Sequence, residues 1–262
     1  MTKIALIIPY FNAEPWLERC LKSIGSQPFT VILVNDQSDD DGPMIATETC
    51  MSSEDWHHFE TYDKTGAAHA RNVGLEAAIA KKCDYVAFLD ADDELTPDAW
   101  DNMTHAIEAE PDAPMIQFNH YMVEKNGWKT PRMYNDPGTY ELGNLPKLWV
   151  SSVNKVFKAD LVNRIRFDNK LDHGEDELFV LNCLAKARRI YHSKLFTMVY
   201  HRDNPHSLSK STTLDDLLNE QRALFAFLVN HSDDVELRNA VRIRQAELWN
   251  NAVYKRVFGG NK

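Results

Sequence analysis

AFLDADDEL, residues 87–95, runs an apolar strand into Asp90, Asp92, Asp93 and Glu94. Four carboxylates within five positions repel one another unless positive charge lies among them. One reading is a strand exit whose acids favour the N-terminus of a following helix, with Thr96 as its N-cap and Pro97 at its first position. The other is a hard divalent cation, Mg²⁺ or Mn²⁺, held by one or two of the carboxylates and completed by phosphate oxygens of a substrate.

The same grammar, an apolar run ending in a polar turn, recurs upstream. KIALIIPY, FTVILVN, a short FETY and DYVAFLD alternate with helical patterns. Continuous apolar strands separated by helices indicate an α/β fold with a mainly parallel sheet covered on both faces. The first helix carries Leu17, Cys20, Leu21 and Ile24 on one face, with Asn12 as its expected N-cap and Pro15 near its start. It therefore begins at the carboxyl end of the first strand, the edge where open α/β sheets bind ligands.

Composition narrows the classes. The chain has 262 residues, 44% of them hydrophobic, and a net charge of −10, enough for one sizeable core. No run approaches the roughly 20 apolar residues of a membrane span, and the start MTKIALIIPYFN lacks signal-peptide features, so a cytoplasmic location is the expectation. Four dispersed cysteines read as reduced thiols. The charge is uneven: residues 1–145 carry 10 basic and 25 acidic side chains, whereas residues 146–210 carry 12 and 7. That basic middle either covers apolar surface with its stems or faces an anionic partner.

Three further stretches carry candidate chemistry. VILVNDQSDDDG also ends a buried strand in acids, suited to hydrogen-bonding a base or ribose or simply to forming a turn. TGAAHARNVGLEAA opens a helix with Gly66, sets Arg71 one turn inside, and offers Ala70, Val73, Gly74 and Ala77 as a small face for close packing. HGEDELF places Glu175 and Asp176 at a helix N-terminus, where the dipole keeps a carboxylate ionised, as a general base requires. Neither GxGxxG nor GxxxxGK[ST] occurs, which argues against dinucleotide oxidoreductases and P-loop NTPases.

In this order the motifs IIPYFNAEPWLERCLKSI, VNDQSDD, GAAHARNVGL, LDADD, NKVFKADLVNRIRF, GEDELF and YHRDNPHSLS resemble glycosyltransferase family 2, over about residues 3–210. The resemblance implies a GT-A fold, Rossmann-like, with residues 1–212 as the transferase domain (1–115 for the nucleotide-sugar, 116–212 for the acceptor) and 213–262 as a C-terminal helical extension. It implies transfer of a sugar, with inversion, from a nucleotide diphosphate donor such as a UDP-sugar to a hydroxyl, using Mn²⁺ or Mg²⁺.

By position in those motifs, Phe11 would stack on the base, Asp36 would bond its edge and Arg71 would lie beside the nucleotide. Asp90 resembles the ribose and metal-shell acid, Asp92 the direct metal ligand, Asp176 the catalytic base and Glu175 a shaper of the acceptor site. YHRDNPHSLS would close over the diphosphate, making His201, Arg202 and Ser207 donor contacts and His206 a further metal ligand. Asn35 and Gln37 depart from the usual Asp and Gly of that family's V-D-D-G-S motif, and its processive Q-x-x-R-W motif is absent, which implies transfer of a single sugar.

The acceptor is left open between a surface glycan or lipid-linked saccharide, reached at the inner membrane face, and a hydroxylated DNA base flipped toward Trp128, Tyr134 and Tyr140, as in phage DNA-modifying enzymes. A nucleotidyltransferase and a non-catalytic nucleotide-sugar binder are the alternatives of other classes. The C-terminal helices are expected to pack on the body or to join a homo-oligomer.

Overall fold

The computed structural model describes residues 2–63, 65–124, 126–145, 150–202, 204 and 213–242. The first half alternates as expected: β1 (Ile4–Tyr10), α1 (Glu14–Ile24), β2 (Thr30–Asn35), α2 (Gly42–Cys50), β3 (Trp56–Glu60), α3 (Ala67–Ala80) and β4 (Tyr85–Phe88). β5 (Glu94–Leu95) and α4 (Ala99–Ala109) follow, then β6 (Met115–Val123), β7 (Lys129–Arg132), β8 (Gly138–Glu141) and β9 (Lys155–Lys158). The chain continues through α5 (Ala159–Val162), α6 (Glu175–Ala187), β10 (Arg189–Tyr200) and α7 (Leu214–Asn230), with residues 235–242 also helical.

One sheet joins all ten strands in the order β3-β2-β1-β4-β9-β6-β10-β5, with β7 beside β6 and β8 beside β10. β3, β2, β1 and β4 are mutually parallel, as are β6 and β10, while β9, β5, β7 and β8 pair antiparallel. All six residues of β2 are buried, because helices cover both faces. One core lies under α3 and α6 around Ile7, Phe88 and Phe179. The other lies under α1 and α4 around Ile8, Leu17 and Met103.

After β1 the chain builds outward to β2 and β3, then returns to the other side of β1 as β4. This reversal opens a crevice at the carboxyl ends of β1 and β4, where loops diverge to opposite faces. α3 seals the floor of that crevice at close range: a Cβ added at Gly74 would lie 2.3 Å from Ile7 Cγ2.

Two expected helix caps are otherwise engaged. α1 is preceded by Ala13 without a side-chain cap, and Asn12 instead accepts the Asp39 amide at 3.0 Å. Likewise α4 begins after Asp98, not after a Thr96 cap, and the Thr96 hydroxyl donates to the Phe196 carbonyl at 3.2 Å. LGNLPKLW, residues 142–149, has a helical pattern; Leu142–Asn144 form a 3₁₀ turn and 146–149 lie outside the described residues. So does the end of the expected C-terminal helical extension, residues 243–262. No described helix is long and apolar enough to cross a membrane.

Candidate active site

A cavity of about 1270 Å³ opens at the crevice, and Phe11, Asp36, Arg71, Asp90, Asp92, Glu175 and Asp176 all line it. Residues 11 to 176 thus meet in one place, each delivered by the end of a strand or the start of a helix. Phe11 follows β1 and stands 60% exposed on the rim.

Asp36 follows β2, where Asn12 and Ser38 lock the loop: the Asn12 amide donates to Ser38 Oγ at 3.0 Å and the Ser38 amide to Asn35 Oδ1 at 2.9 Å. The departures from the family pattern find their places here. Asn35 supplies that turn acceptor, and Gln37 adopts φ +63°, the left-handed backbone that glycine takes without strain. Asp36 itself accepts from the Thr61 hydroxyl at 2.9 Å and from the Gly66 amide at 2.6 Å.

Arg71 is the hub. Its side chain, 7% exposed, donates to Glu175 Oε1 at 2.7 Å and to Asp90 Oδ1 at 3.0 Å, and lies 3.2 Å from Asp176 Oδ1. Phe167 packs beneath the guanidinium. Burial works against its charge, but Asp176, Asp90 and Glu175 hold the guanidinium firmly protonated. The residue expected beside the nucleotide thus fixes three carboxylates around the cavity.

Burial pushes the Asp90 carboxyl up to about 6; Arg71 opposes this, while Asp176 and Asp92 add to it. Burial, and then Asp176, likewise raise Glu175 against the pull of Arg71. Asp176, at the first turn of α6, accepts the Ser151 hydroxyl on Oδ2 at 3.0 Å and the Ser152 hydroxyl on Oδ1 at 2.8 Å. Gly174, at φ +81°, starts α6 hard against α7, since an added Cβ would meet Glu220 Cγ at 2.6 Å. Through this contact α7, expected from sequence to pack on the body or to join a homo-oligomer, contributes Glu220 to the cavity wall.

Asp90, Asp92 and Asp93 each offer a carboxylate oxygen within 4.8 Å of the others. Asp93, absent from the expected ligand set, is fully buried. Its Oδ1 accepts the His201 amide at 2.8 Å, and its Oδ2 has no hydrogen-bond partner among the described residues. Burial, Asp90 and Asp92 raise its carboxyl well above the usual range. An orphaned buried oxygen among three converging acids suits a hard divalent cation.

The segment after β10 is tied to this cluster. The Asn204 side-chain Nδ2 donates to Asp92 Oδ2 at 2.8 Å, and the His201 ring bonds Glu94 at 2.5 Å, which occupies one of its nitrogens internally. Arg202 is exposed and is not among the residues lining the cavity. His206 and Ser207 lie outside the described residues. Asp93, Ser151, Ser152 and Glu220 are the site residues that motif spacing missed; only Asp93 carried a signal, as part of the acidic run.

Residues 5–166 match the family model described as glycosyl transferase family 2. The chain belongs to that family. The glycosyltransferase YibD of Escherichia coli is 29% identical over 220 residues, covering 77% of this chain and 62% of YibD, so the chain spans less than two thirds of that relative's length. The poly(ribitol-phosphate) beta-N-acetylglucosaminyltransferase TarP of Staphylococcus aureus is 26% identical over 234 residues, 81% of this chain and 68% of TarP. Among solved structures, S. aureus TarS in complex with UDP superposes with a TM-score of 0.73 at 21% identity, covering 99% of this chain and 74% of that one. The family 2 glycosyltransferase described here thus has the GT-A architecture, a central α/β sheet flanked by helices.

Proposed function

We propose that this family 2 glycosyltransferase moves one sugar, with inversion, from a UDP-sugar to a hydroxyl of an anionic glycan, a polyol-phosphate chain or a lipid-linked saccharide, in the cytoplasm or at the inner membrane face. The observation that carries the reading is the meeting of Asp176 with the Asp90–Asp92 acids in one cavity, a candidate base facing a candidate diphosphate site.

Phe11 offers a stacking surface to the base, and the lone pairs of Asp36 not used by Thr61 and Gly66 can accept from its edge. Asp90, Asp92 and Asp93 would hold Mn²⁺ or Mg²⁺, which when bound supplies positive charge to the departing diphosphate. Asp176 accepts the proton of the acceptor hydroxyl as that oxygen attacks the anomeric carbon from the side opposite the diphosphate. Glu175, clamped by Arg71, shapes the acceptor side. TarP, by its name, transfers to poly(ribitol-phosphate), and TarS is known with UDP; both motivate the donor and the anionic acceptor, as does the basic middle of the chain. No contact among the described residues favours the flipped-base acceptor.

The test is release of free nucleoside diphosphate from UDP-, GDP- and dTDP-sugars, with Mn²⁺ and with EDTA. Metal-dependent release from a UDP-sugar, lost in Asp92→Ala and reduced about 10²- to 10⁴-fold in Asp176→Asn, is the expected result. Full activity in EDTA, or in Asp176→Asn, overturns the corresponding assignment.

A further inference from the structure

Lys155 opens β9 and is 1% exposed, one of the largest fully buried side chains in the protein. An ammonium placed there forfeits its hydration, a cost that a methionine of the same length would not incur. Its Nζ donates to the Ser151 carbonyl at 2.7 Å, four residues back. The hydroxyls of Ser151 and Ser152 in turn donate to the two oxygens of Asp176.

The turn that makes this arrangement is pinned from below. Asn154 takes φ +63°; its carbonyl accepts the Phe118 amide at 3.0 Å, its side-chain amide donates to the Phe118 carbonyl, and its Oδ1 accepts the Thr197 hydroxyl at 3.2 Å. Residues 151–154 are thereby fixed to β6 and β10, and Lys155 ties the turn's first carbonyl to the same base.

Resting on the reading of Asp176 as the base, we propose that Lys155 is a positioning residue for the transfer reaction: through Ser151 and Ser152 it holds the Asp176 carboxylate in its reactive orientation. Oδ1 is loaded by Ser152 and Arg71, whereas Oδ2 receives Ser151 alone among the described contacts. Oδ2 is then the oxygen left to take the acceptor proton. Burial lowers the Lys155 ammonium to about 7, and the Asp176 carboxylate acts against this.

The experiment is a double-mutant cycle of Lys155→Met and Asp176→Asn in the full chain, reading kcat, UDP-sugar Kd by calorimetry, and the thermal melt. Lys155→Met is expected to lower kcat about tenfold, as loss of an outer-layer partner does, with donor Kd within about twofold of the wild type. Because it acts through Asp176, adding it to Asp176→Asn is expected to cost nothing more. Losses that multiply in the double variant, or an unchanged kcat in Lys155→Met, overturn the proposal while leaving the base in place. A wild-type kcat in Asp176→Asn overturns the base and this proposal together. Should Lys155→Met fail to fold, Ser151→Ala enters the same cycle, and an unchanged kcat there overturns the relay.

Discussion

Asp36 Oδ2 accepts the Gly66 amide at 2.6 Å, so the carboxylate that ends β2 also anchors the start of α3. Asp36→Ala therefore leaves the buried Thr61 hydroxyl and the Gly66 amide without their acceptor, costing about 1–3 kcal/mol of stability together with nucleotide affinity. Asp36→Asn keeps one acceptor oxygen and is expected to lose less. Urea melts and UDP titration of both variants check the ordering.

Phe11 makes the opposite case, a cavity residue that the fold does not need. Phe11→Ala is expected to weaken UDP binding about tenfold, the scale of one base–aromatic stack, and to leave the thermal melt unmoved, because 60% of the side chain is already exposed. Calorimetry against a melt separates the two readouts.

Gly74 and Ile7 fix how closely α3 approaches β1. Gly74→Ala places its Cβ 2.3 Å from the Ile7 side chain and is expected to cost about 1–3 kcal/mol by overpacking. Ile7→Ala in the same chain relieves the clash, so the double variant should be more stable than the sum of the two single losses predicts, as measured in denaturant.

Two buried histidines contribute a share of stability that is lost in mild acid, opposite in sign to the share of the raised Asp90, Glu175 and Asp93 carboxyls. Burial lowers His120 and His192 to about 4, with Lys155 acting in the same direction on both and Arg132 on His120. Their folded pKa values lie below the unfolded value of about 6.5, so the unfolded chain binds the extra protons. The stabilisation is complete above about pH 6.5 and is lost as pH falls toward 4, by at most about 3 kcal/mol per histidine. His192→Leu removes one share, together with two buried ring nitrogens that lack hydrogen-bond partners among the described residues. Urea midpoints at pH 7 and pH 4.5 check the share as a difference: from pH 7 to pH 4.5 the wild type is expected to lose more, or gain less, stability than His192→Leu.

β1, β2 and β4 were legible because they are largely buried and read as unbroken apolar runs, and the motifs after them sit where such a run ends. The caps were not. Asn12 and Thr96 have the right chemistry at the right spacing, but their side chains answer to Asp39 and Phe196, partners 27 and 100 residues away that local pattern cannot reveal. Ser151, Ser152 and Glu220 were silent for the same reason: nothing beside them in the chain marks them, and only the closing of α6 and α7 on the sheet brings them to the acids. Asp93 was visible as charge, while its complete burial was not.

The Arg71–Glu175 contact spans 104 residues, and its consequence lies in how the protein comes to be folded. Local pairs such as β1 with β2 can form early, whereas the cavity exists only after α6 has docked across that long loop, whose closure must precede any reward from the ion pairs. Helical signal should therefore return first on dilution from urea, and the capacity to grip a nucleotide last.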